Sequence, residues 1–246
     1  MSTLNVDKTV RERILTGWSK ERRQACDWAT IITKHNGSIT NQRSVIMSFI
    51  QRCFMRIFYS IPGLGLWYTR RSFGGDFRYR NVEEGFYLEH SGGGKIPQIW
   101  IRPAGQKPQL SDQVLVGHAG RLALVVLVRD DEIVELAEIG KVLESVSMPK
   151  QILASEDTRY LILMDRQRGL NTCKFQAYFT CKEEELLGEG IEPVKGYNEQ
   201  ALERHFKPSA RYIVLRPDCF IHSVANDLEG LTANLKKVRA YFCDSA

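Results

Sequence analysis

RYIVLRPDCFIHSV, residues 211–224, sets a polar triplet, Arg216-Pro217-Asp218, between two short apolar runs, Ile213-Val214-Leu215 and Cys219-Phe220-Ile221. Pro217 fixes its own φ and donates no backbone hydrogen bond, and Asp218 can bond its own backbone, so the triplet reads as a tight turn. The two runs then pair as a hairpin, with Arg216 and Asp218 bonded to each other or to backbone. A helical pattern from Asn226 to Phe242 closes the chain.

Upstream of the hairpin the signals alternate. Leu122 to Val128, LALVVLV, is apolar without interruption, which marks a strand buried on both faces of a sheet that helices cover on both sides. Asp131 to Ser145 carries Ile133, Val134, Leu136, Ala137, Ile139, Val142 and Leu143 on or near one helical face. Ile99–Ile101, Gln151–Ala154 and Tyr160–Met164 read as further strands, and the chain from there to about residue 205 as polar and irregular. Strand, helix, strand, then hairpin and helix is a thioredoxin-like order. The expected fold class is therefore α/β: an N-terminal helical segment followed by a thioredoxin-like domain, a mixed sheet flanked by helices, without a CxxC motif.

Three regions follow from this reading: a helical segment over 1–75, a connector rich in glycine and aromatic residues over 76–97, and the thioredoxin-like domain over 98–246. Residues 6–34 show helical spacing and end at an Asn-Gly stop. A second helix runs from about Asn41 to Tyr59. The apolar stretch containing it, residues 45–68, holds Arg52 and Arg56 mid-run and breaks at Pro62-Gly63, so a buried or partner-covered helix is favoured over one lying in a membrane interface, and no membrane span is expected. In the connector, the triple glycine at 92–94 has no strand-to-helix context and no Gly-Lys-Ser after it, so it reads as a turn rather than a phosphate loop.

With 246 residues and 43% hydrophobic content the chain can bury a sizeable core. The net charge of +5 is spread without a long tract of one sign, and nucleic-acid binding is not implied. Six cysteines form no CxxC pair, there is no His/Cys cluster with metal-ligand spacing, and no Gly-x-Ser-x-Gly elbow occurs. The charged N-terminus, MSTLNVDKTVRER, lacks the apolar stretch of a signal peptide, so a reduced, cytoplasmic protein is expected.

Four blocks carry a family resemblance: ILTGWSKERRQACDWATIITKH at 14–35, Tyr79 with GGGKIPQIWI at 92–101, LSDQVLVGHAGRLALVVLV at 110–128, and RYIVLRPDCFIHSV. In this order they resemble the C-terminal half of flavin-dependent aromatic hydroxylases, the phenol hydroxylase and hydroxyphenylpropionate hydroxylase group. That family ends in a thioredoxin-like domain without redox cysteines that often contributes to dimer contacts. The departure is as informative. The family seats FAD on an N-terminal GxGxxG and a later glycine-aspartate motif, and neither is present; the GLG at 63–65 follows a helix and lacks an acidic partner about twenty residues on. No cofactor is therefore expected for this chain, and no self-sufficient hydroxylation.

The resemblance implies an accessory or association protein, a free-standing hydroxylase tail forming a homodimer or docking on a flavoprotein partner. The alternative reading is a cofactor-independent isomerase, cyclase or dehydratase acting on a small apolar metabolite. Its candidate acid–base groups are Tyr79, Glu84 and His90 in the connector and His118 before the buried strand. Trp67, Tyr68, Phe73, Phe77 and Phe86 would line its pocket.

Overall fold

The computed structural model describes residues 8–41, 43–61, 63–65, 67, 77–80, 82, 85–86, 92–103, 105–129, 136–163, 177–194 and 196–243. Its chain order is α1 (Lys8–Thr40), α2 (Val45–Ser60), β1 (Trp100–Pro103), β2 (Gln109–Leu110), α3 (Ser111–Val114), β3 (Ala123–Val128), α4 (Leu136–Ser145), β4 (Thr158–Ile162), β5 (Ala177–Thr180), α5 (Glu183–Gly188), α6 (Ala201–His205), β6 (Tyr212–Leu215), β7 (Ile221–Ala225) and α7 (Leu228–Cys243).

The strands form one sheet in the order β2-β1-β5-β4-β3-β6-β7. β3 is parallel to β4, and β4 to β5, while β6 runs antiparallel to β3 and β7 antiparallel to β6. All six residues of β3 are buried, as an unbroken apolar run in the middle of a sheet requires. Its side chains alternate between two cores. Leu124, Val126 and Val128 face Ile139 and Leu143 of α4 and Leu231, Leu235 and Val238 of α7. Ala123, Val125 and Leu127 face Leu115, Leu202, Phe206, Ile213 and Leu215. Burying each of the larger of these side chains stabilises the fold by about 1.5–3 kcal/mol. A βαβ unit, a hairpin laid beside its first strand and a closing helix on one face make the fold thioredoxin-like, as the sequence order implied.

The hairpin forms where expected, although β7 starts at Ile221, after the second apolar run has largely passed. Arg216 N donates to Phe220 O at 2.9 Å and Cys219 N to Arg216 O at 3.0 Å, with Cys219 at φ +65°. This is a three-residue loop whose last residue adopts the left-handed conformation, the form that lets a type I turn match the twist of its strands. Pairing slips between Val214, opposite Ser223, and Leu215, opposite Ile221. His222 is the extra residue of the resulting bulge.

Several boundaries differ from the sequence reading. α1 continues through Asn36-Gly37 to Thr40, because one glycine in an exposed helix costs only about 1 kcal/mol and does not oblige it to stop. Gln151–Ala154 is no strand: Ile152 N and Leu153 N both bond to Pro149 O in a turn, and a 3-10 turn follows at Ser155–Asp157. The stretch read as irregular up to residue 205 contains β5, α5 and α6, elements of four to six residues whose periodicity is too short to register. α2 is not a core helix, for none of its residues is buried. No described helix is long and apolar enough to cross a membrane.

The triple glycine is neither a phosphate loop nor a plain turn. Gly93 N donates to Ile221 O, Ile221 N to Gly94 O and Ile96 N to Cys219 O, so the segment runs along the outer edge of β7. A Cβ on Gly92 would stand 2.1 Å from His222 O, and Gly93 takes φ +84° with its own missing Cβ 2.4 Å from Tyr79 O. Glycine is required there by close backbone approach.

Candidate anion-binding site

Of the residues singled out in the sequence, those the structure describes fall in different surroundings. Tyr79 is buried, its N–H donates to Gly93 O at 2.9 Å, and its ring packs between Phe77 and Phe220, each with centroids 4.8 Å away. Burial, opposed by nearby Arg22, raises its phenol pKa above 10.0. Phe77 reaches Trp28 of α1 at 5.3 Å. Phe86 packs against His222, Tyr241 and Phe242, and Arg216 stands 5.7 Å above its ring. Trp67 is exposed. His118 is exposed as well, held by its backbone N–H donating to Asp157 Oδ1 at 2.8 Å. Glu84, His90, Tyr68 and Phe73 lie outside the described residues.

Two concavities lie along the hairpin, one at its turn and one beside β7. One, of about 340 Å³, has Phe86, Leu122, Ile152 and Phe242 as apolar walls beside Arg121, Arg216 and Asp218. Its cations are already matched. Arg216 holds Asp218 through two nitrogens at 2.9 and 3.1 Å and Glu21 at 3.1 Å, while Arg121 pairs with Glu156 and Asp157 at 2.8 Å each. Asp157, with no exposed surface on its side chain, also accepts from His118 N and Ala154 N. These groups build the domain and leave little charge to orient a ligand.

The second concavity, of about 280 Å³, is different in kind. Phe206, Ala210, Ile221 and Val224 form an apolar floor, and Arg78, His205, Lys207 and Asn226 line the rest with Gly92 and Gly94. No carboxylate stands among its described lining residues. Two distant segments supply the polar groups: the bridge residue Arg78, paired with Gly94, and the stretch that carries His205 at the end of α6 and Lys207 just beyond it. Burial lowers the His205 pKa below 6.5 and the Arg78 charge lowers it further, so Arg78 acts on the imidazole. A smaller hollow of about 210 Å³ adjoins through Ala210 and Asn226 and is lined by Leu127, Arg129, Pro208, Ser209 and Arg211. It lies just beyond the carboxyl end of β3, the edge of an open α/β sheet where ligands bind by preference.

The sequence reading missed this site. In sequence, a histidine beside Phe206 reads as structural or solvent-facing, and neither Arg78 nor Lys207 stands out. Their signal, two cations and a histidine at apolar-run boundaries, becomes visible only once the two segments converge.

Among the described residues no cysteine forms a disulfide. Cys181 and Cys219 are buried, and burial pushes the Cys219 thiol pKa up, so it stays protonated. Among the described residues no group of three or more His, Cys, Asp or Glu side chains is placed to hold a metal ion.

No family model and no curated protein sequence matches this chain. Solved structures do. A member of the Sco family of cytochrome c oxidase assembly proteins, BsSco, in which a disulfide switch has been identified, aligns at 11% identity over 61% of this chain and 95% of its own, with a TM-score of 0.32. A protein from Aquifex aeolicus VF5 described as a candidate for electron transfer aligns at 12% identity over 60% of this chain and 96% of its own, with a TM-score of 0.29. At these identities the likeness concerns fold alone.

These findings correct the resemblance to the flavin-dependent aromatic hydroxylases. With no family model and no curated sequence matched, the chain is not read as a hydroxylase tail acting in association with a flavoprotein. The cofactor-free isomerase, cyclase or dehydratase reading gains no support from these comparisons either. The physical reason is that each block solves a local problem. An Arg-Pro-Asp triplet suits a tight hairpin loop, and an unbroken apolar run suits any central strand, whichever family it belongs to.

Proposed function

We propose that this chain is a thioredoxin-fold binding module for a small organic anion, a carboxylate or phosphate ester with an apolar body, held between Arg78, His205 and Lys207. The observation that carries the reading is the convergence of three cationic or protonatable side chains over an apolar floor without a carboxylate among the described lining residues. An anion there gains charge-assisted hydrogen bonds while its apolar part covers Phe206 and Ile221. The disulfide switch and electron transfer named for the two structural neighbours are not carried over, because the sequence has no CxxC pair and Cys181 and Cys219 are buried.

Titration calorimetry with inorganic phosphate, benzoate and phenyl phosphate tests it. Phenyl phosphate is expected to bind most tightly, since it offers both charge and an apolar ring, and Arg78→Ala with Lys207→Ala is expected to weaken it at least tenfold. Binding should strengthen as pH falls below 6.5, because a bound anion favours protonated His205. Equal binding by wild type and the double variant, or no binding of any of the three at millimolar concentration, overturns the reading.

A further inference from the structure

α2 stands uncovered. Ile46, Phe49, Phe54 and Ile57 are 61–72% exposed, and Ser44 caps the helix by accepting from Met47 N. At about 100° per residue, Ile46, Ile50, Phe54, Ile57 and Phe58 fall on one arc, and Arg52 and Arg56, one turn apart, fall on the opposite side. In sequence, the charge on either side of it is all of one sign. Between Asp27 and Asp76 the sequence contains Lys34, Arg43, Arg52, Arg56, Arg70 and Arg71 and no aspartate or glutamate.

We infer that α2 is an interfacial helix that seats this protein on an anionic lipid surface. Its 16 residues span about 24 Å, too short and too charged to cross a bilayer but suited to lie in the headgroup plane with the Ile50–Phe54 arc toward the acyl chains. Arginines within a Debye length of anionic headgroups add attraction for each charge, and their alkyl stems let the guanidinium reach phosphate from a partly sunk helix. Charge selects this occupant over a second copy of the chain. Two α2 helices packed through that arc would turn their arginines outward and gain nothing from the charge of residues 28–75, which include no aspartate or glutamate, whereas a phosphatidylserine surface supplies the missing negative charge.

Vesicle flotation with the full chain tests the assignment, using phosphatidylcholine vesicles with and without 30% phosphatidylserine as the probe. Wild type is expected to float with the anionic vesicles at least tenfold more than with the neutral ones, and the difference should fall at 0.5 M salt. Phe54→Glu and the pair Arg52→Glu with Arg56→Glu should each abolish flotation. Both lie on a helix with no buried residue, so their far-ultraviolet dichroism and melting midpoint should match wild type. Failure to float, equal flotation with neutral vesicles, flotation retained by either variant, or a dimer in sedimentation that Phe54→Glu dissolves while vesicles are ignored, overturns the proposal.

Discussion

Glu21 of α1 and Arg216 of the hairpin turn, 195 positions apart, meet at 3.1 Å with side chains only 3% and 10% exposed. Glu21 also accepts the Phe86 N–H through its other oxygen at 2.6 Å. One carboxylate thus ties the N-terminal helix to the turn and to the connector. Around it, Gln24 exchanges hydrogen bonds with Arg80 at 2.8 and 3.1 Å, and Arg13 donates to Ala240 O and Tyr241 O at the end of α7.

Removing one member of this buried pair leaves the other charge without its full complement. Glu21→Ala is expected to destabilise the fold by about 3 kcal/mol, the lower end for a broken buried pair, because Asp218 still holds Arg216 bidentately. Urea denaturation measures it, with Arg216→Met closing a double-mutant cycle. A coupling free energy below ~0.5 kcal/mol would show that the pair does not join α1 to the turn.

His222 makes stability depend on acid. Its ring sits in the bulge against Phe86 at 4.6 Å, with Nδ1 3.1 Å from Ser223 Oγ, and burial together with the Arg216 charge lowers its pKa to about 3. The folded state refuses a proton that the unfolded chain accepts near 6.5, so stability is full above pH 6.5 and is lost progressively as pH falls toward 3. His205, also lowered, adds a loss of the same sign. His222→Phe is expected to flatten the decline of the urea midpoint between pH 6.5 and 4. An unchanged slope in the variant refutes the assignment.

Gly92 has no room for a side chain. Gly92→Ala would place a Cβ 2.1 Å from His222 O, a backbone atom that cannot swing aside, so the segment must leave the edge of β7. The expected cost is about 2–4 kcal/mol, within the range of overpacking and lost backbone pairing, with faster amide exchange at Gly93 and Ile96. Gly105→Ala is the comparison: nothing lies within 4 Å of its missing Cβ, and only its φ of +73° opposes a side chain, so a smaller loss is expected. Equal losses in the two variants would rule out the close approach as the cause.

Much of the domain was legible because its signals are local. LALVVLV fixed a central strand whose register partners, Leu124 with Thr158 and Leu124 with Val214, lie on either side of it. The helix read over Asp131–Ser145, whose residues 131–135 lie outside the described ones, and the closing α7 followed from spacing. Short elements escaped: β5 has four residues and pairs through contacts made far along the chain, with Ile101 opposite Thr180 and Tyr160 opposite Ala177. The candidate site was hardly visible. Tyr79 reads as a proton donor by its neighbours in sequence, and only the fold shows that its ring packs between Phe77 and Phe220.

The amino-acid order alone settled the hairpin at Arg216-Pro217-Asp218, the doubly covered β3 and the absence of a CxxC pair, because turn chemistry and burial periodicity are properties of adjacent residues. Tertiary structure decided that Glu21 finds Arg216, that Arg78, His205 and Lys207 share one cavity, and that nothing within the described chain covers α2. Each of those outcomes depends on which distant segments pack together, and no window of neighbouring residues contains that information.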